Sequence, residues 1–286
     1  MCHNRCRFLV LSLALVLILP GCSWFGERRP DGGTPSVVSG AAVLDWETAA
    51  IILPLGRYGM SPGEIQLVDA AASVVLAKCL SGSGVVPASV VEDAGRYLST
   101  TLVLNRWLYG RWNAPYVARA GWVSDLGPSI EVPGMESGRA EECFVELERT
   151  QLIPIADGHA GDAGGEMLTR EGTNAYVLTL RDPLFLQLKQ AWHDCISEEG
   201  YRVDESKDTG GVLIEQSWSD EQTQRAFLTE ARCADGMNYT QRVADINAAY
   251  ELRFISRAEA ELVEVRRLAD DRVARATQVL KDSGVI

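Results

Sequence analysis

The stretch from Thr240 to Asp282 constrains the fold of this chain most, because it holds neither proline nor glycine over 43 residues. Gly284 follows at the point where a helix of that length would end. At about 1.5 Å per residue, such a helix would be about 65 Å long, which exceeds the diameter of a domain of this size. We therefore predict a C-terminal helix over residues 240–283 that must bend, project or find a partner.

The apolar residues of this segment allow two placements of the helix. Every heptad position from Ile255 onward except Arg272 is apolar, which is the spacing of a coiled-coil seam. One interpretation packs the helix along its own domain, with Val263, Val273 and Leu280 widening the apolar face. The other lets the helix project and pair with a second copy or a partner protein. The apolar seam positions are Ile255, Ala258, Leu262, Val265, Ala269, Ala276 and Val279.

The first 22 residues have the three parts of a bacterial export signal. Arg5 and Arg7 form a short positive region, residues 8–19 are apolar, and LPGC follows at positions 19–22. This twelve-residue apolar stretch is too short for a transmembrane helix, since a hydrocarbon core of about 30 Å requires about 20 apolar residues. We therefore predict a signal peptide over residues 1–21.

The cysteine that ends this signal predicts a lipid anchor. LPGC resembles the bacterial lipobox, in which the cysteine is joined to diacylglycerol and becomes the new N-terminus. Pro20 departs from the lipobox pattern, and the alternative is an ordinary secretory signal that is cut elsewhere. Two acyl chains on Cys22 would hold the protein stably at the extracytoplasmic face of the cell membrane.

Residues 22–43 are rich in glycine, proline and serine and lack a periodic apolar pattern, so we predict a flexible tether. About twenty residues have a typical end-to-end distance of about 25 Å, which keeps the following domain, residues 44–286, near the membrane. Loss of residues 1–21 removes two arginines and no acids, so the net charge changes from −12 to −14. This acidic balance argues against binding nucleic acid or anionic lipid headgroups through a basic face.

The cysteines beyond the signal predict structural cross-links. An even number of them in an exported protein indicates disulfides, and four cysteines allow three pairings. A metal or redox site has less support, because CxxC spacing is absent and only His159 and His193 follow the signal. We expect no metal and no cofactor. We favour Cys79–Cys143 with Cys195–Cys233, since each pair then lies within one half of the chain.

Three capped helix starts, at Ser61, Asp182 and Ser219, predict a mainly helical fold. Each offers a side-chain oxygen to the first turn, and the first two are followed directly by proline. A minor β hairpin is expected around residues 209–211, and residues 50–55 are typical of an extended segment. We predict one disulfide-stapled helical domain, with further helices over residues 88–98, 101–109, 137–149 and 167–180.

Residues 106–122 combine aromatic and arginine side chains at high density. Exposed aromatics beside arginines stack on sugar rings or clamp a peptide. Large aromatics at this density also serve as core packing, so both interpretations are kept. The candidate binding residues are Trp107, Tyr109, Trp112, Tyr116 and Trp122, which are interleaved with Arg106, Arg111 and Arg119.

Two other patterns offer weaker chemistry. The acids and glycines of residues 157–166 would suit Ca²⁺, but their spacing does not match an EF-hand loop, so an ordinary loop is the better interpretation. His193, Asp194 and Cys195 are adjacent on a predicted helix, where neighbouring side chains point in different directions. They cannot act together as base, orienting acid and nucleophile, and we predict no catalytic residue.

Five stretches resemble those of a family of uncharacterised cell-surface lipoproteins from actinobacteria. The resemblance implies a cell-surface setting, a lipidated Cys22 and at most an adaptor role beside envelope or transport machinery. It implies no activity and no other functional residue. The stretches are LPGC at 19–22, LPLGRYGMSPGE at 53–64, RWLYGRWNAPY at 106–116, GYRVDES at 200–206 and LADDRVARATQVL at 268–280.

Together, these patterns predict a lipid-anchored extracytoplasmic protein that binds or scaffolds a partner. Its expected contacts are the membrane through the anchor, and a protein partner or a second copy through the C-terminal helix. The alternative function is a cell-envelope hydrolase acting on glycan or peptide. That alternative requires a cleft that gathers His193 with acids remote in sequence.

Overall fold

In a computed structural model, the chain is mainly helical and carries a small antiparallel sheet, as predicted. The structure describes residues 36–37, 39–120, 128–152 and 163–286. Within these residues, no helix has the length and hydropathy of a membrane span. The elements are β1 (Val43–Asp45), β2 (Ala50–Ile52), a 3₁₀ helix (Pro54–Arg57), α1 (Pro62–Leu80), α2 (Ala88–Leu98), α3 (Ala114–Ala120), α4 (Ala140–Thr150), α5 (Ala163–Leu180), α6 (Pro183–Glu198), α7 (Asp220–Gly236) and α8 (Tyr239–Asp282).

The predicted helix caps are confirmed. The Ser61 hydroxyl accepts the Glu64 N–H at 3.3 Å, and the Glu64 carboxylate accepts the Ser61 N–H at 2.7 Å. Ser219 forms the same reciprocal pair with Gln222 at the start of α7. At the start of α6, the Asp182 carboxylate accepts an N–H of the first turn at 2.8 Å. Each cap satisfies N–H groups that a helix start otherwise leaves unpaired.

The predicted helix over residues 101–109 is wrong. Asn105 has φ +59° and Gly110 has φ +100°, and left-handed backbone at these positions does not propagate a right-handed helix. The segment instead forms irregular backbone and turns, and a short helix that was not predicted, α3, begins at Ala114. The Asn113 side chain accepts the Tyr116 N–H at 2.8 Å and so caps this helix.

The β1–β2 hairpin begins inside the segment that was predicted to be a tether. Val43 pairs with Ile52 across the two strands. Just before β1, the backbone N–H groups of Gly40 and Ala42 donate to the buried Asp245 carboxylate at 2.9 and 3.0 Å. The fixed part of the chain therefore starts before residue 44, because α8 supplies an acceptor for backbone that the sequence marks only as glycine-rich. The hairpin expected near residues 209–211 is reduced to a single antiparallel bridge.

The long helix α8 contributes to two separate apolar clusters, and it bends between them. Its first half packs with the buried Trp112 and Trp192, whereas Ala276 and Leu280 pack with α1 and α2. Ala258 has the non-helical angles φ −125° and ψ 20°. The prediction that so long a helix must bend, project or find a partner is met by the bend. Both clusters belong to one compact unit, Pro35–Ile286.

The heptad seam of α8 is used within the chain. Leu262 and Ala276 are fully buried, while Val263, which was expected to widen the apolar face, is 58% exposed. These positions support the interpretation in which α8 packs along its own domain. Near the bend, the Glu251 carboxylate is 3% exposed and accepts the Leu55 N–H at 2.8 Å. Side chains of α8 thus fix the backbone that precedes α1.

Both predicted disulfide pairings are confirmed. Cys79–Cys143 joins α1 to α4, and Cys195–Cys233 joins α6 to α7. Cys143 lies in a small apolar cluster beside Leu80, and Cys233 lies in the cluster around Trp192. Each bond therefore cross-links helices that already share a buried surface.

Candidate functional site

The turn of the hairpin is held by side chains from residues 106–119. Three successive carbonyl groups of the turn each accept a hydrogen bond from one of these side chains. Asn113 donates to Trp46 O at 2.8 Å, Arg119 to Glu47 O at 3.1 Å, and Arg106 to Thr48 O at 3.0 Å. A turn with all three carbonyls bound in this way has little freedom to move.

The Asp45 carboxylate fixes the same turn from within. It accepts the Glu47 N–H at 2.9 Å and the Thr48 hydroxyl at 2.7 Å. These bonds favour the ionised form, and the Thr48 hydroxyl contributes most to holding the pKa of Asp45 below its ordinary value. At the end of the turn, Ala49 has φ +61° and is completely buried, so the left-handed backbone is enforced by packing.

Large apolar side chains project from this rigid turn into solvent. Trp46 is 54% exposed, and its ring meets the buried Trp112 edge-on with centroids 5.0 Å apart. Val43 and Ile52, which are paired across the strands, are 52% and 48% exposed. We call Val43, Trp46 and Ile52 the outer hairpin face.

A second group of exposed and half-buried side chains adjoins the turn. The guanidinium groups of Arg106 and Arg119 lie 4.6 and 5.4 Å from the ring centroid of Tyr116. The rings of Trp107 and Tyr116 meet edge-on with centroids 6.1 Å apart, and Arg111 lies 5.9 Å from the Trp107 ring. Such cation–π contacts order both partners. We call Arg106, Trp107, Arg111, Tyr116 and Arg119 the arginine–aromatic cluster.

A buried carboxylate supports this cluster from below. Glu230 is 1% exposed and accepts the backbone N–H groups of Arg111 at 2.8 Å and Val212 at 3.0 Å. It also pairs with the Arg111 guanidinium at 3.6 Å. Burial raises the pKa of Glu230, and the attraction of Arg111 opposes that shift. Gly211 has φ +109°, and an added Cβ there would lie 3.1 Å from the Glu230 carboxylate, so the loop depends on glycine at this point.

The structure divides the aromatic residues that were predicted to bind. Trp107 is 37% exposed and Tyr116 is half-buried, so both reach the surface. Tyr109 and Trp112 are core residues with 0% and 1% exposure, which corrects their assignment to a binding surface. Their large rings fill space between the hairpin and α8, and the Tyr109 hydroxyl accepts a hydrogen bond from Asn247 at 2.5 Å. Trp122 lies outside the described residues.

The sequence interpretation missed Trp46, although it stands alone beside the predicted extended segment. The burial of such a residue depends on what covers it, and a local pattern does not contain that information. A weak signal is present in the neighbouring residues, since Asp45 and Thr48 flank Trp46 with side chains typical of turns.

His193 is half-buried against the loop that precedes α7. Its Nε2 lies 3.3 Å from the Thr209 carbonyl, and an added Cβ at Gly210 would collide with the imidazole ring. Burial is the main cause that lowers the pKa of His193. Among the described residues, no acid forms a hydrogen bond with His193; Asp194 and Glu205 act on its pKa only as minor charge effects. Asp194 accepts a hydrogen bond from Gln190 at 2.8 Å, on its own helix.

Several sequence predictions fall outside the part of the chain that the structure describes. They include Cys22 with its signal and the loop residues 157–162 with His159. In the described ranges, no group of three histidine, cysteine or acidic side chains is arranged to hold a metal ion. The chain matches no protein-family model, none of the curated proteins and no solved structure.

Proposed function

We propose that this chain is a lipid-anchored protein of the extracytoplasmic face of the cell membrane, and that it binds or scaffolds a partner through the arginine–aromatic cluster. The export signal and Cys22 support the location. The two disulfides support an oxidising compartment. The resemblance to actinobacterial surface lipoproteins agrees with both.

The observation that carries the binding role is the partial exposure of Trp107 within a fixed set of arginines. Tryptophan, tyrosine and arginine dominate the energetics of protein interfaces. Here the side chains of Arg106 and Arg119 are already ordered by the hairpin turn and by the Tyr116 ring. A partner would therefore meet a preformed surface and would pay little of the usual cost of ordering it.

Photo-crosslinking in living cells tests the binding role. A photoreactive amino acid at Trp107 should yield a discrete adduct, and Arg119→Ala should reduce that adduct. Phe144 provides the matched control position, since it is an aromatic residue of similar exposure, 40%, on α4, which packs against α1. An adduct at position 107 that is no stronger than at position 144 would contradict the binding role.

Substitution of the proposed lipidation site tests the location separately. Cys22→Ser should abolish incorporation of labelled fatty acid and reduce the share of the protein that stays with membranes during fractionation. Cys6→Ser lies within the predicted signal and serves as the control, because it should leave labelling unchanged. Retention of the fatty acid label in Cys22→Ser would refute the anchor.

A further inference from the structure

The outer hairpin face belongs to the first secondary-structure element of the described chain. Its side chains are apolar although they do not form the core-facing side of the hairpin. The opposite face of the same hairpin, with Leu44 and Ile51, already packs into the core. Val43, Trp46 and Ile52 are each about half exposed, and the Trp46 ring rests edge-on against the buried Trp112. The described residues leave the outer half of each of these three side chains open to solvent.

We propose that this face docks on the lipid bilayer, with Val43, Trp46 and Ile52 entering the interfacial region. The proposal rests on the proposed function, because it takes Cys22 to be lipidated. Aliphatic side chains partition into the acyl boundary, and tryptophan favours the level of the headgroups. The three residues thus have the composition of a shallow membrane contact.

The length of chain between anchor and hairpin favours a lipid surface as the occupant. Val43 lies 21 residues after Cys22, a distance that a chain of this length spans typically within about 25 Å. A membrane would therefore be present at high effective concentration beside the hairpin, so a weak contact suffices. A soluble partner has no such advantage at this position.

The rigidity of the turn favours the same occupant. The three bound carbonyls of residues 46–48 hold Trp46 in its projecting position before any contact forms. Docking then orders few additional groups. Because Arg106 and Arg119 bind this turn, docking of the hairpin would also hold the arginine–aromatic cluster at a set height above the bilayer.

The charges of the region indicate insertion rather than attraction to anionic headgroups. The turn carries Asp45 and Glu47, and their formal charges cancel those of Arg106 and Arg119. Without residues 1–21 the chain has a net charge of −14. Docking should consequently be no stronger on anionic than on zwitterionic vesicles, and on zwitterionic vesicles it should change little with salt.

Bromolipid quenching of tryptophan fluorescence tests the proposal on the processed protein that is lipidated at Cys22. The reference protein carries Trp24→Phe, because Trp24 lies two residues from the proposed anchor. In phosphatidylcholine vesicles with brominated acyl chains, Trp46→Phe should remove at least half of the quenching. The matched control, Trp107→Phe, should remove much less. Equal quenching with and without Trp46 would overturn the proposal, as would quenching that requires phosphatidylglycerol and disappears in high salt.

Flotation with vesicles separates this inference from the anchor itself. In full-length Cys22→Ser, the double variant Val43→Ser/Ile52→Ser should lower vesicle binding about tenfold. Val263→Ser/Leu268→Ser changes exposed residues of α8 and should leave binding unchanged. If Cys22 carries no lipid and bromolipids still quench Trp46, the anchor is refuted and the docking proposal stands. A photoreactive group at Val43 that labels protein instead of lipid would overturn the docking proposal.

Discussion

Replacement of Glu251 by glutamine measures the cost of a buried charge at the point where α8 meets the start of the folded chain. The Glu251 carboxylate is 3% exposed and accepts the Leu55 N–H at 2.8 Å. Burial raises the pKa of Glu251 from its ordinary value of 4.5 to about 7, and the Leu55 hydrogen bond opposes this shift only in part. Glutamine keeps an oxygen that can accept the Leu55 N–H, and it cannot ionise.

The sign of the effect follows from the raised pKa in the native state. The native carboxyl group holds its proton up to about pH 7, whereas the unfolded chain loses it near pH 4.5. The contribution of this group to stability is therefore full below pH 4.5 and is lost as the pH rises through 7. A tenfold change in proton affinity is worth about 1.4 kcal/mol, so the penalty at pH 8 is roughly 3 kcal/mol.

Urea unfolding of the wild type and Glu251→Gln at two pH values provides the assay. The free energy of unfolding of the variant should exceed that of the wild type by roughly 2–3 kcal/mol at pH 8. This difference should narrow to less than about 1 kcal/mol at pH 5. Glu261→Gln, at an exposed position of the same helix, is the control and should show no such gap. A variant that is no more stable than wild type at pH 8, or a gap independent of pH, would refute the reasoning.

Three further substitutions have expected outcomes that urea unfolding can check. Replacement of Cys195 and Cys233 by alanine should cost about 4 kcal/mol, because the bond closes a loop with a sequence separation of 38. Gly210→Ala should lower the free energy of unfolding by about 2 kcal/mol or more, since Gly210 has φ +87° and its new Cβ would meet His193. Adding His193→Ala should recover only the part of this loss that comes from the steric clash. Leu280→Ala should cost about 2–5 kcal/mol, because this side chain is fully buried beside α1 and α2.

The features that could be predicted from sequence are those whose cause is local or covalent. The caps at Ser61 and Ser219 depend on residues three positions apart, and the disulfides depend on a small set of cysteines. The length of α8 follows from the absence of helix breakers. In each case, the residues that determine the feature stand close together or are few enough to enumerate.

The features that escaped prediction depend on contacts between remote segments. Gly40 and Ala42 are fixed because Asp245, about 200 residues later, accepts their N–H groups. Similarly, the segment at residues 101–109 has apolar spacing compatible with a helix, but Asn105 is left-handed and the buried Glu230 accepts the N–H of Arg111 just beyond the segment. Tyr109 and Trp112 looked like binding residues because the sequence does not show which aromatic rings the core encloses.

The double role of α8 determines when this protein can finish folding. Its residues complete both apolar clusters, and its carboxylates hold backbone some 200 residues earlier. A chain that emerges N-terminus first from a ribosome or an export channel therefore cannot close either cluster until its last forty or so residues are free. Until then, the segments before α8 lack part of their packing surface. A chain truncated before α8 would leave both apolar clusters incomplete. Both apolar clusters are therefore complete only when α8 is present.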